Sequence, residues 1–298
     1  MAKTKVLRNH SVAFNAVAII LWIWAISFMF VLLWGIISSC RDGIAFALND
    51  SSFFGVNDKE VLPSLKHTYT LKNFGKAFTE LKDDVTQTTF FGMFFNSVWL
   101  SIGLTIGGQI FKITTAYALA FYGFKGRNAI YKFFILQMII PGFGSGIAGY
   151  RILASLGMVD SPWYILSVMS GDGMFMLIYY GAFVGLTHSY ADAARIDGAN
   201  EFSIFLKIYL PMVKSVILAL AVQVFIDLWQ NYSTFIIYMP SYPTLATGLF
   251  KYTARAAYVM DTPTYFAGLL IANFPIAIVF IACNKTILEN VCIGGLKG

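Results

Sequence analysis

Two ionisable residues, Lys112 and Asp227, lie inside long apolar runs, and a third, Asp172, sits between Gly171 and Gly173. Charge at bilayer depth is costly and is kept where it is paired or used. At about 1.5 Å rise per residue, Lys112 and Asp227 fall at comparable depth from one end of their helices. A Lys112–Asp227 pair is one reading; extension of the Lys112 stem to the nearer surface is the simpler one. Asp172 with Asp227 could be a carboxylate pair for acid–base work, as an intramembrane aspartyl protease would need. That reading has poor support, because Asp172 lies near the end of its run and neither H-E-x-x-H nor G-x-S-x-G occurs. The Walker pattern G-x-x-x-x-G-K-[ST] does not occur either, so the chain carries no P-loop for nucleotide. Cys40, Cys283 and Cys292, with His10, His67 and His188, are too scattered for a disulfide framework or a metal site. No catalytic residue and no metal ligand is assigned.

Trp229, Gln230, Asn231 and Tyr232 form a second cluster. Aromatic faces beside amides and a hydroxyl suit an uncharged, hydroxylated solute, since binding sites are mostly apolar with a few polar groups. The same aromatics at the end of a span also suit an interfacial belt. Both readings stand on the residues alone.

The chain that carries these residues is 298 residues long, 58% hydrophobic and 12% charged, with mean hydropathy +0.69. Soluble chains of this length are about 45–50% apolar and about 25% charged. The surplus apolar surface needs a bilayer as its solvent. Runs of roughly 20 apolar residues can cross one. They fall at 12–38, 94–121, 131–150, 163–186, 213–239 and 265–287, with glycines interrupting the third and fourth. The expected fold is therefore an all-α membrane protein of about six transmembrane helices. The first run is longer than a signal-peptide h-region and reads as a retained anchor.

The net charge is +6 and the pI about 9.1. The basic residues are dispersed at span ends, which points to topology rather than to nucleic acid. Lys3, Lys5, Arg8, Lys125, Arg127, Lys132, Arg195, Lys207, Lys214, Lys285 and Lys297 fall on one side. That side is the expected cytoplasmic one, with both termini on it. Residues 41–89 then lie outside. Within them Leu71, Phe74, Phe78 and Leu81 follow Thr70 at helical spacing, which predicts a short amphipathic helix capped by Thr70. It is either a packed spacer or a docking surface for an external partner. Gly103 with Gly107, Gly142 with Gly146, and Gly181 with Gly185 are each four apart and allow close helix approach. Pro141 and Pro275 should kink or end their helices.

Residues 189–215 read SYADAARIDGANEFSIFLKIYLPMVKS. Ser189 followed by Asp192 resembles a capping box, with Asp in place of Glu or Gln. Ala191, Ala193 and Ala194 favour helix and keep its surface thin. Asp197 and Gly198 break it, Gly198 taking a positive φ at little cost. Phe202, Phe205, Leu206 and Tyr209 mark one apolar face of a second helix, which Pro211 ends. Two short helices joined by a sharp turn could present a rigid helix to a partner's groove, or rest on lipid as an interfacial helix.

This stretch resembles the EAA motif of ABC-importer permeases: Asp192, Ala193 and Ala194, a gap of Arg195 and Ile196, then Asp197, Gly198 and Ala199, with Leu210 and Pro211 closing it. Asp192 stands where that family has Glu, and Ser215 replaces a common second proline. The run AYALAFYGFKGRNAIYKFFILQMIIPG is similar to the second and third helices of maltose-type sugar permeases. Trp229 to Tyr232 resemble a Trp-Asn-Asp-Phe element of that group, and Gly294 to Gly298 its short tail.

The resemblance implies a type I ABC-importer permease fold, with an N-terminal helix and extracytoplasmic segment over 1–92 and a five-helix core over 93–298 that carries the EAA loop at 187–214. It implies a multi-pass subunit of the bacterial cytoplasmic membrane that imports a sugar or oligosaccharide by alternating access. The implied partners are membrane lipid, a second related permease forming a heterodimer, two ATPase subunits and an extracytoplasmic solute-binding protein. ATP and magnesium would be bound by the ATPases, leaving no cofactor in this chain and no enzyme activity of its own. The coupling role falls on Ser189, Asp192, Ala193, Ala194, Arg195, Asp197, Gly198, Ala199, Leu210 and Pro211. The tail at 294–298 would also reach the ATPases, and the outer loop at 240–264 the binding protein. An EAA permease for a non-sugar solute is the first alternative. A passive channel would have no use for such a docking element.

Overall fold

The computed structural model describes residues 12–49, 53–64, 69–139, 145–170, 173–259 and 261–294. Among them the regular structure is helical, apart from one isolated antiparallel bridge between Arg41 and Tyr69. The helices are α1 (Val12–Ser39), α2 (Gly43–Leu48), α3 (Asp58–Val61), α4 (Lys72–Glu80), α5 (Phe90–Phe121), α6 (Arg127–Ile139) and α7 (Ser145–Ser155). A 3-10 segment (Pro162–Ser170) precedes α8 (Gly173–Val184). Then come α9 (Ser189–Ile196), α10 (Glu201–Ile204), a π-helical turn (Phe205–Tyr209), α11 (Leu210–Met212), α12 (Lys214–Gln230), α13 (Tyr232–Tyr238), α14 (Leu245–Tyr258) and α15 (Thr262–Gly294). Pro141, Gly142, Asp172, the first basic cluster at residues 3–8 and most of the tail, 295–298, lie outside the described residues.

Among the described residues, three helical stretches are long and apolar enough to cross a membrane: Phe14–Ser39, Phe90–Phe121 and Thr262–Asn284. Two bent pairs bring this to as many as five, if Pro162–Val168 joins Gly173–Val184 and Glu201–Met212 joins Lys214–Gln230. The third expected run, 131–150, is represented by α6 and α7 on either side of 140–144. Neither helix alone reaches the roughly 20 residues a crossing needs. Pro275 lies inside α15 without ending it.

The chain divides into two compact units, Met1–Leu81 with Tyr252–Ile271, and Lys82–Lys251 with Ala272–Gly298. The first unit thus ends at Leu81 and takes in a stretch from near the C-terminus.

In the first unit α1 is apolar all round and its membrane-length window buries nothing, as suits a helix surrounded by lipid. Beyond it the chain is held by a buried ion pair. Arg41 grips Asp58 through Nε at 2.8 Å and Nη2 at 2.6 Å, and both side chains are fully enclosed. Asn49 donates to Asp58 Oδ1, and Arg41 Nη2 to the Asn49 carbonyl. Gly55, at φ +71°, leaves the guanidinium its room: a Cβ there would lie 2.4 Å from Arg41 Nε.

The amphipathic helix at α4 is present, with a different inward face. Asn73, Ala77 and Leu81 are buried, whereas Leu71 and Phe78 are exposed. The reason is polar. Asn73 Nδ2 donates to the carbonyls of Ser39 (2.8 Å) and Arg41 (2.7 Å), which turns that side of the helix inward. Leu71, not Thr70, is the N-cap; Thr70 Oγ1 accepts from the Lys72 amide at 3.3 Å.

In the second unit α5 is the central element. It packs on α8, on α12 and on the 3-10 segment. Gly103 and Gly107 make the last contact possible, since a Cβ on Gly103 would meet Ile165 Cδ1 at 2.7 Å and one on Gly107 would meet Ile165 Cγ2 at 3.3 Å. Gly146, Gly181 and Gly185 make no such approach to another element. Before α5, Asp83 is fully buried and accepts from the Lys251 ammonium, the Thr86 amide and the Thr86 hydroxyl.

Candidate functional site

The segment 189–212 folds as an elbow. Helix α9 ends in a Schellman motif: the Gly198 amide donates to the Arg195 carbonyl (3.1 Å) and the Ala199 amide to the Ala194 carbonyl (2.9 Å). This closure needs the left-handed backbone that Gly198 supplies at φ +80°. Asn200 then caps α10, its Oδ1 accepting from the Ser203 amide at 2.7 Å.

Three features of the elbow depart from the sequence pattern. His188 is the N-cap of α9 and makes no side-chain cap bond, so Ser189 is the first helical residue and no capping box forms. Asp192 pairs with Arg195 instead. The second helix does not keep one apolar face through Phe202, Phe205, Leu206 and Tyr209. The π turn at Phe205–Tyr209 inserts an extra residue and shifts the register. Ile204, Phe205 and Tyr209 point inward, while Phe202 and Leu206 are exposed. The chain also runs on past Pro211 to Val213, and there bends by 76° into α12.

The inner side of the elbow is seated on the ends of α5 and α8. Ala191 and Ala194 are buried with Ile204, Phe205, Tyr209, Tyr117 and Phe183 in one cluster. Phe121 lies 4.1 Å from Tyr209 and Tyr117 4.7 Å from Phe205, ring centre to ring centre. The Tyr209 hydroxyl donates to the Thr187 carbonyl at 3.1 Å. The small alanines let α9 lie close, as their composition suggested.

A charged clasp ties the elbow's two arms. Arg195 donates to Asp192 Oδ1 (2.8 Å), to Glu201 Oε1 (2.7 Å) and to Glu201 Oε2 (3.2 Å). Tyr122, at the end of α5, donates its hydroxyl to Glu201 Oε2 at 2.9 Å. The Arg195 guanidinium, with help from Tyr122, holds the Glu201 carboxyl below the usual carboxylate range. Glu201 in turn raises the Arg195 pKa. Tyr122 and Glu201 were not singled out in the sequence. The available signal was an acid three residues past the turn glycine, opposite an arginine three residues before it.

The outer side of the elbow is apolar and open. Tyr190 is 52% exposed, Ile196 87% and Phe202 69%. Ala193, Asp192 and Asp197 are exposed beside them. Leu210 is half-buried and packs on the cluster beneath.

Lys112 and Asp227 line one cavity of about 230 Å³ between α5, α8, α12 and the 3-10 segment, all within the second unit. Lys112 is buried and its ammonium stands 5.2 Å from the centre of the Phe175 ring. It therefore does not extend to the surface as the simpler sequence reading had it.

Trp229 to Tyr232 do not converge on one space. Trp229 is buried, donates its indole N–H to the Ala272 carbonyl at 2.9 Å and meets Phe94 edge to face. Asn231 is the N-cap of α13, accepting from the Thr234 amide. Tyr232 stacks on Phe250 at 4.2 Å. Gln230 is exposed. Trp229 thus spends its indole N–H, and Asn231 its side-chain oxygen, within the fold.

Residues 112–287 match the family described as binding-protein-dependent transport system inner membrane component. The chain is 29% identical over 233 residues to the arabinooligosaccharides transport system permease protein AraQ of Halalkalibacterium halodurans, covering 78% of this chain and 81% of that one. It is 31% identical over 208 residues to the galactooligosaccharides transport system permease protein GanQ of Bacillus subtilis, covering 68% and 73%. A bacterial ABC transporter involved in import of the acidic polysaccharide alginate has a chain of the same fold, with TM-score 0.74 at 20% identity, covering 94% of this chain and 98% of that one. With the match to its family spanning the elbow and most of the helical core, this chain belongs to the inner-membrane components of binding-protein-dependent transport systems, the permeases of ABC importers.

Proposed function

We propose that this chain is one of two related permease subunits of an ATP-driven importer and that its cargo is a sugar or short oligosaccharide. The observation that carries the coupling role is the two-sided elbow. Its inner side is locked into the bundle by aromatic packing, and its outer side presents Tyr190, Ile196 and Phe202 to the aqueous phase. An apolar patch rimmed by charge, on a rigid support outside the apolar spans, suits a protein partner. The partner proposed is an ATPase subunit that binds ATP and magnesium. Its closure would move the elbow as a lever and rock the bundle between inward and outward openings.

In this reading both termini and the elbow are cytoplasmic, and the loop at 240–264 faces an external binding protein. The relatives named for arabino- and galactooligosaccharides support a carbohydrate cargo. Gln230 and Tyr232 are the members of the 229–232 element left exposed enough to meet a second permease or cargo. The test is co-purification of the chain with ATPase subunits, followed by reconstitution with the binding protein in liposomes. ATP-dependent uptake of labelled arabinotriose, galactotriose or maltotriose is expected. A chain that purifies alone and passes solute without ATP would replace the importer with a channel.

A further inference from the structure

The segment that follows α1 turns back along it. Phe53 stacks on Phe30 with ring centres 4.8 Å apart and lies 5.7 Å from Trp34, and Phe54 meets Phe30 edge to face at 6.0 Å. Phe30 and Trp34 belong to the membrane-length stretch of α1, Phe14–Ser39. Its 26 residues make a helix about 39 Å long against a hydrocarbon core of about 30 Å. With the stretch centred on the core, about 4 Å of each end stands among headgroups. Trp34 is about 8 Å from the end at Ser39 and Phe30 about 14 Å, so both lie below that boundary. The tip at Phe53 and Phe54 therefore reaches hydrocarbon depth.

The surroundings of the tip suit that depth. Irregular backbone in lipid needs its polar groups satisfied within the protein. The Phe54 carbonyl accepts from the Tyr69 hydroxyl at 2.8 Å, the Gly55 carbonyl from the Asp58 amide at 3.1 Å and the Asn49 carbonyl from Arg41 Nη2 at 3.2 Å. Among the described residues of 43–56 none is charged. Ile44, Leu48, Phe53, Phe54 and Val56 are exposed. Helix α4 is pinned at the same end of the span. The Thr70 amide donates to the Cys40 carbonyl at 2.6 Å, beside the two bonds from Asn73 to the Ser39 and Arg41 carbonyls. Leu71 and Phe78 are exposed along one side of this helix, and Lys72 and Lys76 fall on the other.

Through the Phe30 and Trp34 contacts this apolar surface is continuous with that of α1, whose membrane-length window buries nothing within the chain. That continuity names lipid as the occupant, and an apolar edge opposite lysines is the pattern of a helix lying in the interface. We propose that residues 43–56 and α4 form a lipid anchor around the end of α1. Phe53 and Phe54 insert among the acyl chains of the adjoining leaflet. Leu71 and Phe78 rest at the headgroup boundary, with Lys72 and Lys76 in water. The anchor holds this end of α1 at a fixed depth. The inference rests on α1 crossing the bilayer and is independent of the cargo.

The test uses the complex as it purifies, in vesicles of phosphatidylethanolamine and phosphatidylglycerol. With Cys40, Cys283 and Cys292 replaced, nitroxide labels are attached singly after Phe53→Cys, Phe54→Cys, Lys72→Cys and, in the middle of α1, Trp22→Cys. Molecular oxygen concentrates in lipid and a nickel chelate in water. Labels at 22, 53 and 54 are expected to collide with oxygen and to lose collisions with nickel relative to the label at 72. A second measurement needs no substitution. The unaltered complex is irradiated in vesicles whose acyl chains carry a diazirine, and lipid adducts are expected on the tryptic peptide 42–59. Nickel contact at 53 and 54 equal to that at 72 would place the tip in water. Loss of collisions with both reagents, with no adduct on 42–59, would place it under a protein partner such as a second permease. Either result overturns the proposal while a label at 22 in lipid keeps α1 as a span. A label at 22 reached by nickel removes the span and this proposal together.

Discussion

Glu201 receives both Nε and Nη2 of Arg195, at 2.7 and 3.2 Å, across the turn at Gly198. The pair closes a ring: α9 is joined to α10 by the chain on one side and by the two-pronged ion pair on the other. Tyr122 extends the ring to the end of α5. The clasp braces the joint of the elbow, as the lever proposed above would require to transmit motion.

Glu201→Gln keeps an acceptor for Tyr122 and removes the charge. Because both partners are about half exposed, the change should leave thermal unfolding nearly untouched. It should instead loosen the joint, so that transport per ATP falls while complex assembly persists. Hydrogen exchange of amides 189–211 should speed up. Equal exchange and equal coupling in the variant would show that the clasp is ornamental.

Gly198→Val and Gly198→Asn separate backbone from contact effects. A Cβ at Gly198 would meet nothing within 4 Å, so any harm comes from φ +80° alone. Left-handed backbone costs an ordinary residue roughly 1–2 kcal/mol, and asparagine less. Transport should therefore drop strongly in Gly198→Val, with membrane insertion intact, and stay near normal in Gly198→Asn. Normal transport by the valine variant would remove the turn from the mechanism.

The Asp83–Lys251 contact makes a pH-dependent contribution to stability. Burial alone would raise the Asp83 carboxyl, but the Lys251 ammonium and the Thr86 donors outweigh it and hold the group below its ordinary value. A depressed carboxyl stabilises the fold above its unfolded pKa, and that gain is lost as pH falls through the lower folded one. Asp83→Asn should cost about 1–3 kcal/mol at neutral pH. The melting curves of variant and parent in detergent should converge as pH falls below the ordinary carboxylate range. A gap that stays constant on acidification would refute the assignment.

How much of this was legible in the sequence follows from the range of the interactions. The Asp197–Gly198 turn was readable because a Schellman closure is local, set by one glycine and its near neighbours. The long apolar spans 12–38 and 94–121 were readable because bilayer thickness fixes their length. The inward face of the elbow was not, since the π turn at Phe205–Tyr209 shifts the register without any signature residue. The face of α4 was misjudged because apolar periodicity pointed to Phe74 and Phe78, whereas Asn73 is turned inward by two carbonyls more than thirty positions away.

The Arg41–Asp58 pair should prove the most fragile point of the first unit. Both side chains are sealed from water and joined by two bonds at 2.8 and 2.6 Å. Removing one partner leaves the other charged and buried, which costs about 3–5 kcal/mol. Arg41→Met alone should therefore unfold this region, read as new proteolytic cleavage within residues 41–64. Arg41→Lys should do little better, because an ammonium cannot reproduce the fork that meets both carboxylate oxygens. Replacing both partners with apolar residues of similar size, Arg41→Met with Asp58→Leu, removes the stranded charge and should recover most of the resistance to protease. Gly55→Ala should damage the site with both charges present, since its Cβ would press within 2.4 Å of Arg41 Nε and 2.5 Å of Asp58 Oδ2, at a φ of +71°. If the double variant is cleaved as fast as Arg41→Met, the loss is one of shape rather than of unpaired charge, and the pair is not what holds the segment closed.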